Sequence, residues 1–308
     1  QLSFIRRLQT LRPTIVHLNP SLNFPSFARD TLFAITAKLH GAKLLVFFRG
    51  WDEAFAQTLD KGWRWLYRIG LGRADHIIAL SSDIAMQLQR WSSKQQIDID
   101  RTVVPNDLIV GFDLDQKLTD VANDQTLRVL LMARLEPEKG VRETIEAVVR
   151  LASAGQKIHL TIAGAGSFQQ ELEDQLSRHP EVAEHVSFVG YVRNEEKKAL
   201  LLRSHVYCLP TYHGEGLPNA LVEALAFGLP VITCAAGGIK DLFADGSMGY
   251  LVEPKKPEAI EQRLLELLTD RELARKIGSF NHNFAKEQLL ASSAANRLAA
   301  AYASLAAE

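Results

Sequence analysis

Cysteine is scarce in this chain of 308 residues: only Cys208 and Cys234 occur, both inside apolar runs. There is no C-x-x-C, no H-E-x-x-H and no acidic calcium loop, so neither a disulfide framework nor an intrinsic metal is expected. The two thiols read as small core residues. No run of about 18 apolar residues occurs, which argues against a membrane-spanning helix. The net charge is −1, too small for a general affinity for nucleic acid. No signal peptide, internal repeat or low-complexity tract is visible beyond an Ala-rich tail. What is present is 47% hydrophobic, enough for ordinary cores, in a length that suits about two domains.

The most informative stretch is TYHGEGLPNALVE, residues 211–223, followed by ALAFGLPVITCAAGG. Gly216, Leu217 and Pro218 read as a turn, Asn219 adds a polar side chain, and a helix begins near Ala220. Proline in a first helical turn wastes no amide donor. Gly228 and Pro230 stop the helix, and Val231–Cys234 reads as a buried parallel strand. The free amides at the helix start form an anion site. Glu215 precedes that helix and Glu223 lies inside it. As an isolated pair they read more simply as a helix cap and a solvated side chain. Beside an anion site, a diphosphate-sugar fits them: phosphates on the amides, one carboxylate toward the sugar and one toward a ribose.

LRVLLMARLEPEKG, residues 127–140, reads as a buried strand, a charged turn and a helix starting near Val141. Arg134 and Lys139 flank the turn. At the C-terminal end of a parallel strand they face the crevice where α/β sheets bind ligands, and they suit phosphate oxygens. A surface Arg–Glu–Lys cluster is the plain alternative. KIHLTIAGAG, residues 157–166, is a strand running into a Gly-x-Gly turn, which lacks the third glycine of a dinucleotide fingerprint. VSFVGYV, an amphipathic helix over 194–203, and HVYCLP continue a strand–helix alternation through Leu251, so the region is doubly wound α/β.

These strings together resemble the signature of retaining glycosyltransferases of family 4, also called group 1, with the GT-B fold. The matching residues are Glu215, Gly216, Leu217, Pro218, Asn219, Glu223, Gly228, Pro230, Val231, Ile232, Gly237 and Gly238. Arg134 and Lys139 match the family's G-R-x-x-x-x-K-G element, with Ala133 in place of its first glycine. The resemblance implies an α/β GT-B architecture of two Rossmann-like domains facing a cleft. It implies donor contacts by Gly216, Leu217, Pro218, Asn219 and Glu223, and nucleobase contacts around Gly190, Tyr191 and Val192. Catalysis is expected from Glu215, Arg134 and Lys139. The donor would be a UDP- or GDP-sugar, with no intrinsic cofactor, and the acceptor a glycan or a lipid-linked molecule. A GT-B epimerase, a phosphorylase-like enzyme and a non-catalytic nucleotide-sugar-binding subunit are the rival readings.

Toward the start, FIRRLQTLRP reads as a helix, Thr14–Leu18 and Lys43–Phe48 as strands, and the region around Thr31–His40 as a helix between them. His76–Leu80 and Thr102–Val104 complete four strands. The family's opening strands are not found, so residues 1–110 are expected to be an incomplete acceptor-side domain whose sheet has an open edge. A linker over 111–127, a donor-side domain over 128–280 and a final helix over 281–308 crossing back complete the expected organisation. Phe284, Leu289, Leu298, Tyr302 and Leu305 would supply that helix's apolar contacts. Arg49, after the second strand, stands where the family commonly has a histidine and is expected on the acceptor side of the cleft. Residues 1–110 carry 14 basic and 9 acidic side chains. KGWRWLYRIGLGR, residues 61–73, mixes Trp63, Trp65 and Tyr67 with four cations. Two readings stand: a helix lying on an anionic membrane, and a core helix with a wet Arg side. The expected location is cytoplasmic, with peripheral attachment at the inner face of the membrane under the first reading.

Overall fold

The computed structural model describes residues 2–92, 96–100, 103–177, 180–214 and 216–307. Two compact units are present. The first comprises residues 1–102, 215–217 and 292–308, and the second residues 103–214 and 218–291.

The first unit holds a four-stranded parallel sheet. Its strands are β1 (Ile15–Leu18), β3 (Lys43–Phe47), β5 (His76–Ala79) and β6 (Gln96–Ile99), in the order β1-β3-β5-β6. A two-stranded ribbon of β2 (Ser21–Leu22) and β4 (Gly50–Trp51) lies beside it in the same unit. The central strands are apolar on both faces, as a sheet covered by helices requires. One face packs against the helix Phe24–Leu39 and the buried Tyr67 and Trp91. On the other, Leu45, Phe47 and Ile78 meet Leu305, with Leu298 and Tyr302 beside them. Those three residues sit on the last helix, Ala291–Ala307, and their spacing puts them on one face.

Four expectations change here. The fourth strand is β6, not Thr102–Val104. Thr102 lies outside the described residues, and Val104 makes only an isolated bridge to Leu290. Strand β6, Gln-Ile-Asp-Ile, is half polar and short, so hydrophobic patterning does not mark it. The Ala-rich helix begins at Phe24, because the Asn23 side chain caps the amide of Ser26 and Pro25 fits the first turn. The pattern over 281–307 is two helices, Arg271–Gln288 and Ala291–Ala307, broken where Val104 bonds the backbone at Leu289 and Ala291. Segment 61–73 is not one helix either. It passes through a π turn, leaves helical geometry at Gly62, and resumes as Arg64–Ile69.

The second unit holds a six-stranded parallel sheet. Its strands are β7 (Leu127–Met132), β8 (Ile158–Ala163), β9 (Val186–Gly190), β10 (Val206–Leu209), β11 (Val231–Thr233) and β12 (Gly249–Leu251). The spatial order is β12-β11-β10-β7-β8-β9. The chain therefore winds outward from β7 to β9, then returns to the other side of β7 and winds outward again. That is the doubly wound order with a topological switch point between its first and fourth strands, β7 and β10. The stretch expected as a linker contains the helix Leu114–Asn123. It is anchored by Lys117, buried at the C-terminal ends of two other helices, whose ammonium donates to Leu201 O at 2.9 Å and Phe227 O at 2.7 Å. Helix dipoles favour a cation there, and burial holds the Lys117 pKa well below its ordinary value.

Candidate functional site

In a parallel sheet every strand ends on the same edge, so the loops after β7 to β11 gather at one end of the second unit. The loop after β7 carries Arg134 and Lys139. Arg134 is exposed, while Lys139 is 5% exposed and closes the 3-10 turn Pro137–Lys139. Gly140 then takes a left-handed turn with φ 71° and starts the helix Val141–Ser153. A Cβ at Gly140 would stand 2.6 Å from Pro210 O, so only glycine lets this loop press on the end of β10. The loops are also bonded directly: the Thr211 hydroxyl and the Tyr212 amide both donate to Glu138 O, at 3.1 and 3.0 Å.

The Gly-x-Gly turn after β8 supports the Arg134 loop. Added Cβ atoms at Gly164 and Gly166 would lie 1.8 Å from Ala133 O and 2.2 Å from Leu135 O. Those carbonyls belong to the residues on either side of Arg134. The amides of Ala133 and Leu135 donate in turn to Ala163 O and Ala165 O. Arg134 thus projects from backbone held on both sides. Glu136 is turned toward Ser167, whose hydroxyl donates to it at 2.7 Å. That bond, with smaller help from Arg134 and Lys139, holds the Glu136 carboxyl below its ordinary range.

After β9, Gly190 takes φ 70° and its carbonyl accepts from the Gly164 amide at 2.8 Å. Tyr191 is 68% exposed, and the Arg193 guanidinium lies 4.8 Å from its ring centroid. Val192 is half-buried. After β10 the chain leads to the helix Asn219–Ala226, with Pro218 as its cap residue and no capping side chain. The Leu221 and Val222 amides both donate to Pro218 O, at 3.1 and 3.3 Å, while those of Asn219 and Ala220 precede the first intrahelical bonds. Asn219 is exposed, Pro218 half-buried and Leu217 buried. Gly216 and Leu217 group with the first unit. Glu215 lies outside the described residues. Glu223 is not solvated: it is 8% exposed, and its Oε1 accepts from Lys197 Nζ at 2.6 Å. Lys197 carries no motif signal and was not legible in the sequence.

Both thiols are buried, with burial raising each pKa to about 12, so neither is a nucleophile at neutral pH. Among the described residues no group of three or more His, Cys, Asp or Glu is placed to hold a metal ion. In the first unit, Arg49 Nε donates to Asn19 Oδ1 at 3.1 Å, and its guanidinium lies 3.6 Å from the Phe47 ring centroid. The Asp52 carboxylate caps the amide of Phe55. Burial lowers the Arg49 pKa. Trp63 and Trp65 are 49% and 57% exposed, whereas Tyr67 is buried. Arg64 pairs with Asp60 at 2.8 Å, and Arg68 donates to Trp91 O at 2.8 Å.

The second unit is thus a doubly wound parallel α/β unit with Arg134, Lys139 and a helix start beside its switch point. The profile of the family described as Glycosyl transferases group 1 matches residues 116–284, more than half of the chain, and the chain belongs to that family. It is similar to the phosphatidyl-myo-inositol mannosyltransferase of Mycolicibacterium smegmatis, 29% identical over 62% of this chain and 48% of the relative. It is also similar to the amylovoran biosynthesis glycosyltransferase AmsK of Erwinia amylovora, 33% identical over 49% of this chain and 38% of the relative. The matches thus span about half or less of these relatives. Among solved structures, Anabaena Alr3699/HepE in complex with UDP superposes with a TM-score of 0.77 at 18% identity, covering 98% of this chain and 82% of that one. This likeness establishes the fold, which is GT-B with Rossmann-like units. No described helix is long and apolar enough to cross a membrane.

Proposed function

We propose that this chain transfers a hexosyl group from a UDP- or GDP-sugar to a hydroxyl acceptor with retention at the anomeric carbon, as a member of glycosyltransferase family 4. The observation that carries this reading is the flanking of the β7–β10 switch point by the Arg134–Lys139 loop and the helix Asn219–Ala226. Arg134, Lys139 and the helix amides take the donor diphosphate. Gly190, Tyr191 and Val192 border the nucleobase, Glu223 meets the ribose, and Glu215 positions the sugar with Gly216 and Leu217. Residues 128–280 are the donor side; residues 1–110, with Arg49, are the acceptor side, braced by the final helix.

The acceptor oxygen bonds the anomeric carbon on the face that the diphosphate leaves. The breaking C–O bond gives its electron pair to the diphosphate oxygen, which takes the hydroxyl proton. Fixed cations and amides stabilise the charge that develops there. The structure of Alr3699/HepE with UDP-glucose favours a uridine donor. The named roles of the relatives in amylovoran and phosphatidyl-myo-inositol chemistry favour a polysaccharide or glycolipid acceptor.

Calorimetric titration with UDP and GDP tests the donor site. Loss of affinity in both Arg134→Ala and Lys139→Ala supports the reading, and unchanged affinity in both overturns it. Free epimerised nucleotide sugar formed without acceptor would make the chain an epimerase, and a requirement for inorganic phosphate a phosphorylase. Donor binding without hydrolysis or transfer would make it a binding subunit. A peripheral site at the inner membrane face is favoured by the exposed Trp63, Trp65 and Ile69 beside exposed Lys61 and Arg73. Retention on anionic vesicles at low salt, lost in Trp63→Ala/Trp65→Ala, supports it; no retention at any salt refutes it.

A further inference from the structure

The Lys197–Glu223 pair differs from the other shielded ion pairs of the chain. Asp75 pairs with Lys38 but also accepts from the Leu44 amide, and Asp100 takes two nitrogens of Arg297, so both serve the first unit's frame. The hydrogen bond found at the Glu223 carboxylate among the described residues is the one from Lys197, to Oε1. Oε2 remains able to accept. The Lys197 ammonium has three donors, of which this bond uses one.

Position adds to this. Lys197 is the fourth residue of the helix Asn194–Arg203, and Glu223 the fifth of Asn219–Ala226. Both helices start at the strand-end edge, one after β9 and one after β10. At 1.5 Å per residue, both side chains leave their helices roughly one turn from that edge. Both are mostly shielded, with side-chain exposures of 24% and 10%. A buried ion pair costs desolvation and is weak evidence for stability on its own. A shielded ammonium beside a carboxylate with an open oxygen is, however, a matched donor and acceptor for two neighbouring hydroxyls.

We propose that Lys197 is a positioning and specificity residue that reads the donor's ribose together with Glu223. Oε2 of Glu223 accepts from one hydroxyl of the diol. Lys197 donates a further N–H to the oxygen of the other and holds the carboxylate in place. The inference rests on the assignment of Glu223 to the ribose. A nucleotide lacking the 2′-hydroxyl leaves a shielded polar group unpaired, which is how sites built for a hydroxyl reject analogues without it.

The experiment measures binding of UDP, GDP, their 2′-deoxy forms and pyrophosphate to the full chain and four variants. The wild type is expected to prefer the better-bound ribonucleotide over its 2′-deoxy form by about tenfold or more, the range for charged hydrogen bonds. Lys197→Met should lower ribonucleotide affinity about tenfold and bring the preference within about threefold, with pyrophosphate affinity unchanged. Lys197→Arg, which keeps a donor, should restore part of the preference. In sugar transfer, Lys197→Met should raise the donor KM more than it lowers kcat. A wild-type preference retained in Lys197→Met would reduce Lys197 to a tie between two helices and overturn the inference. If Glu223→Gln leaves nucleotide affinity intact while Arg134→Ala weakens it, the ribose assignment itself fails. If neither nucleotide binds the wild type, the donor-site reading falls and takes the inference with it.

Discussion

The two sheets differ in how they wind. The four-stranded sheet proceeds in one direction, β1-β3-β5-β6, and among the described residues has no reversal of order. The six-stranded sheet reverses between β7 and β10. A reversal splays the loops of two adjacent strands apart and leaves a crevice; a one-way winding does not. The residues proposed to bind the donor follow this difference. Arg134 and Lys139 lie on the loop after β7 and Glu223 on the helix after β10, the two strands of the reversal. The first unit presents the exposed Trp63 and Trp65 and, among the described residues, Arg49 over the Phe47 ring.

The glycines sharpen the contrast. Gly164, at φ 146°, would place a Cβ 1.8 Å from Ala133 O, whereas Gly41, at φ 77°, has open space around that position. Gly164→Ala should therefore destabilise the second unit by more than about 4 kcal/mol, the range reserved for strain plus backbone overlap. Gly41→Ala should cost only about 1 kcal/mol, the left-handed backbone penalty alone. Urea unfolding with exchange protection read at β7 and β8 separates the two. Equal losses would mean that the Gly-x-Gly turn does not hold the Arg134 loop.

This difference also explains what was legible. Close backbone approaches in the second unit force glycine, proline and small residues into fixed positions, so Gly140, Gly164, Gly228 and Pro230 mark their loops in the sequence. Strands β7 to β11 are visible as apolar runs between those marks. In the first unit the edge strand β6, Gln-Ile-Asp-Ile, carries no such imprint, and Thr102–Val104 reads as a strand in its place. Lys197 stayed hidden for a different reason. Its partner lies 26 residues away on another helix, a contact that only the packing of helices beside β9 and β10 creates.

Acid should also act on the six-stranded sheet. His205 is buried, its Nδ1 accepts from the Arg128 amide at 3.3 Å, and burial, with Arg271 adding to it, lowers its pKa to about 4. Between pH 4 and 6.5 the unfolded chain binds a proton that the folded one refuses, so stability rises with pH across this window. Falling from pH 6.5 to 4 should cost up to about 3 kcal/mol, at about 1.4 kcal/mol per pH unit. His205→Asn should flatten that slope in urea midpoints taken across the window. An unchanged slope would assign the acid loss to other groups.

At the switch point, Arg134→Ala should weaken nucleotide binding by about 1.5–3 kcal/mol, the value of a charged hydrogen bond, and leave the urea midpoint unmoved because Arg134 is exposed. Lys139→Ala should lower both, since Lys139 is buried. A midpoint shift in Arg134→Ala, or none in Lys139→Ala, would reverse the assigned division between exposed clamp and buried support.

The smallest effect belongs to the first unit. The Tyr302 hydroxyl lies 2.6 Å from His17 Nδ1, joining the final helix to edge strand β1. Burial, followed by the nearby Arg49 charge, lowers the His17 pKa, so the ring is neutral above pH 6.5. A neutral hydrogen bond of this kind contributes about 1 kcal/mol. Tyr302→Phe should cost that amount, with the same loss at pH 7 and pH 8, because the lowered His17 pKa keeps its ring neutral across that interval. Exchange protection of the helix Ala291–Ala307 should fall with it, since Leu298, Leu305, the ring at position 302 and the Arg297–Asp100 pair would then hold the helix without this bond. If the helix keeps full protection, its apolar contacts suffice, and the His17–Tyr302 bond contributes nothing to holding the final helix on the four-stranded sheet.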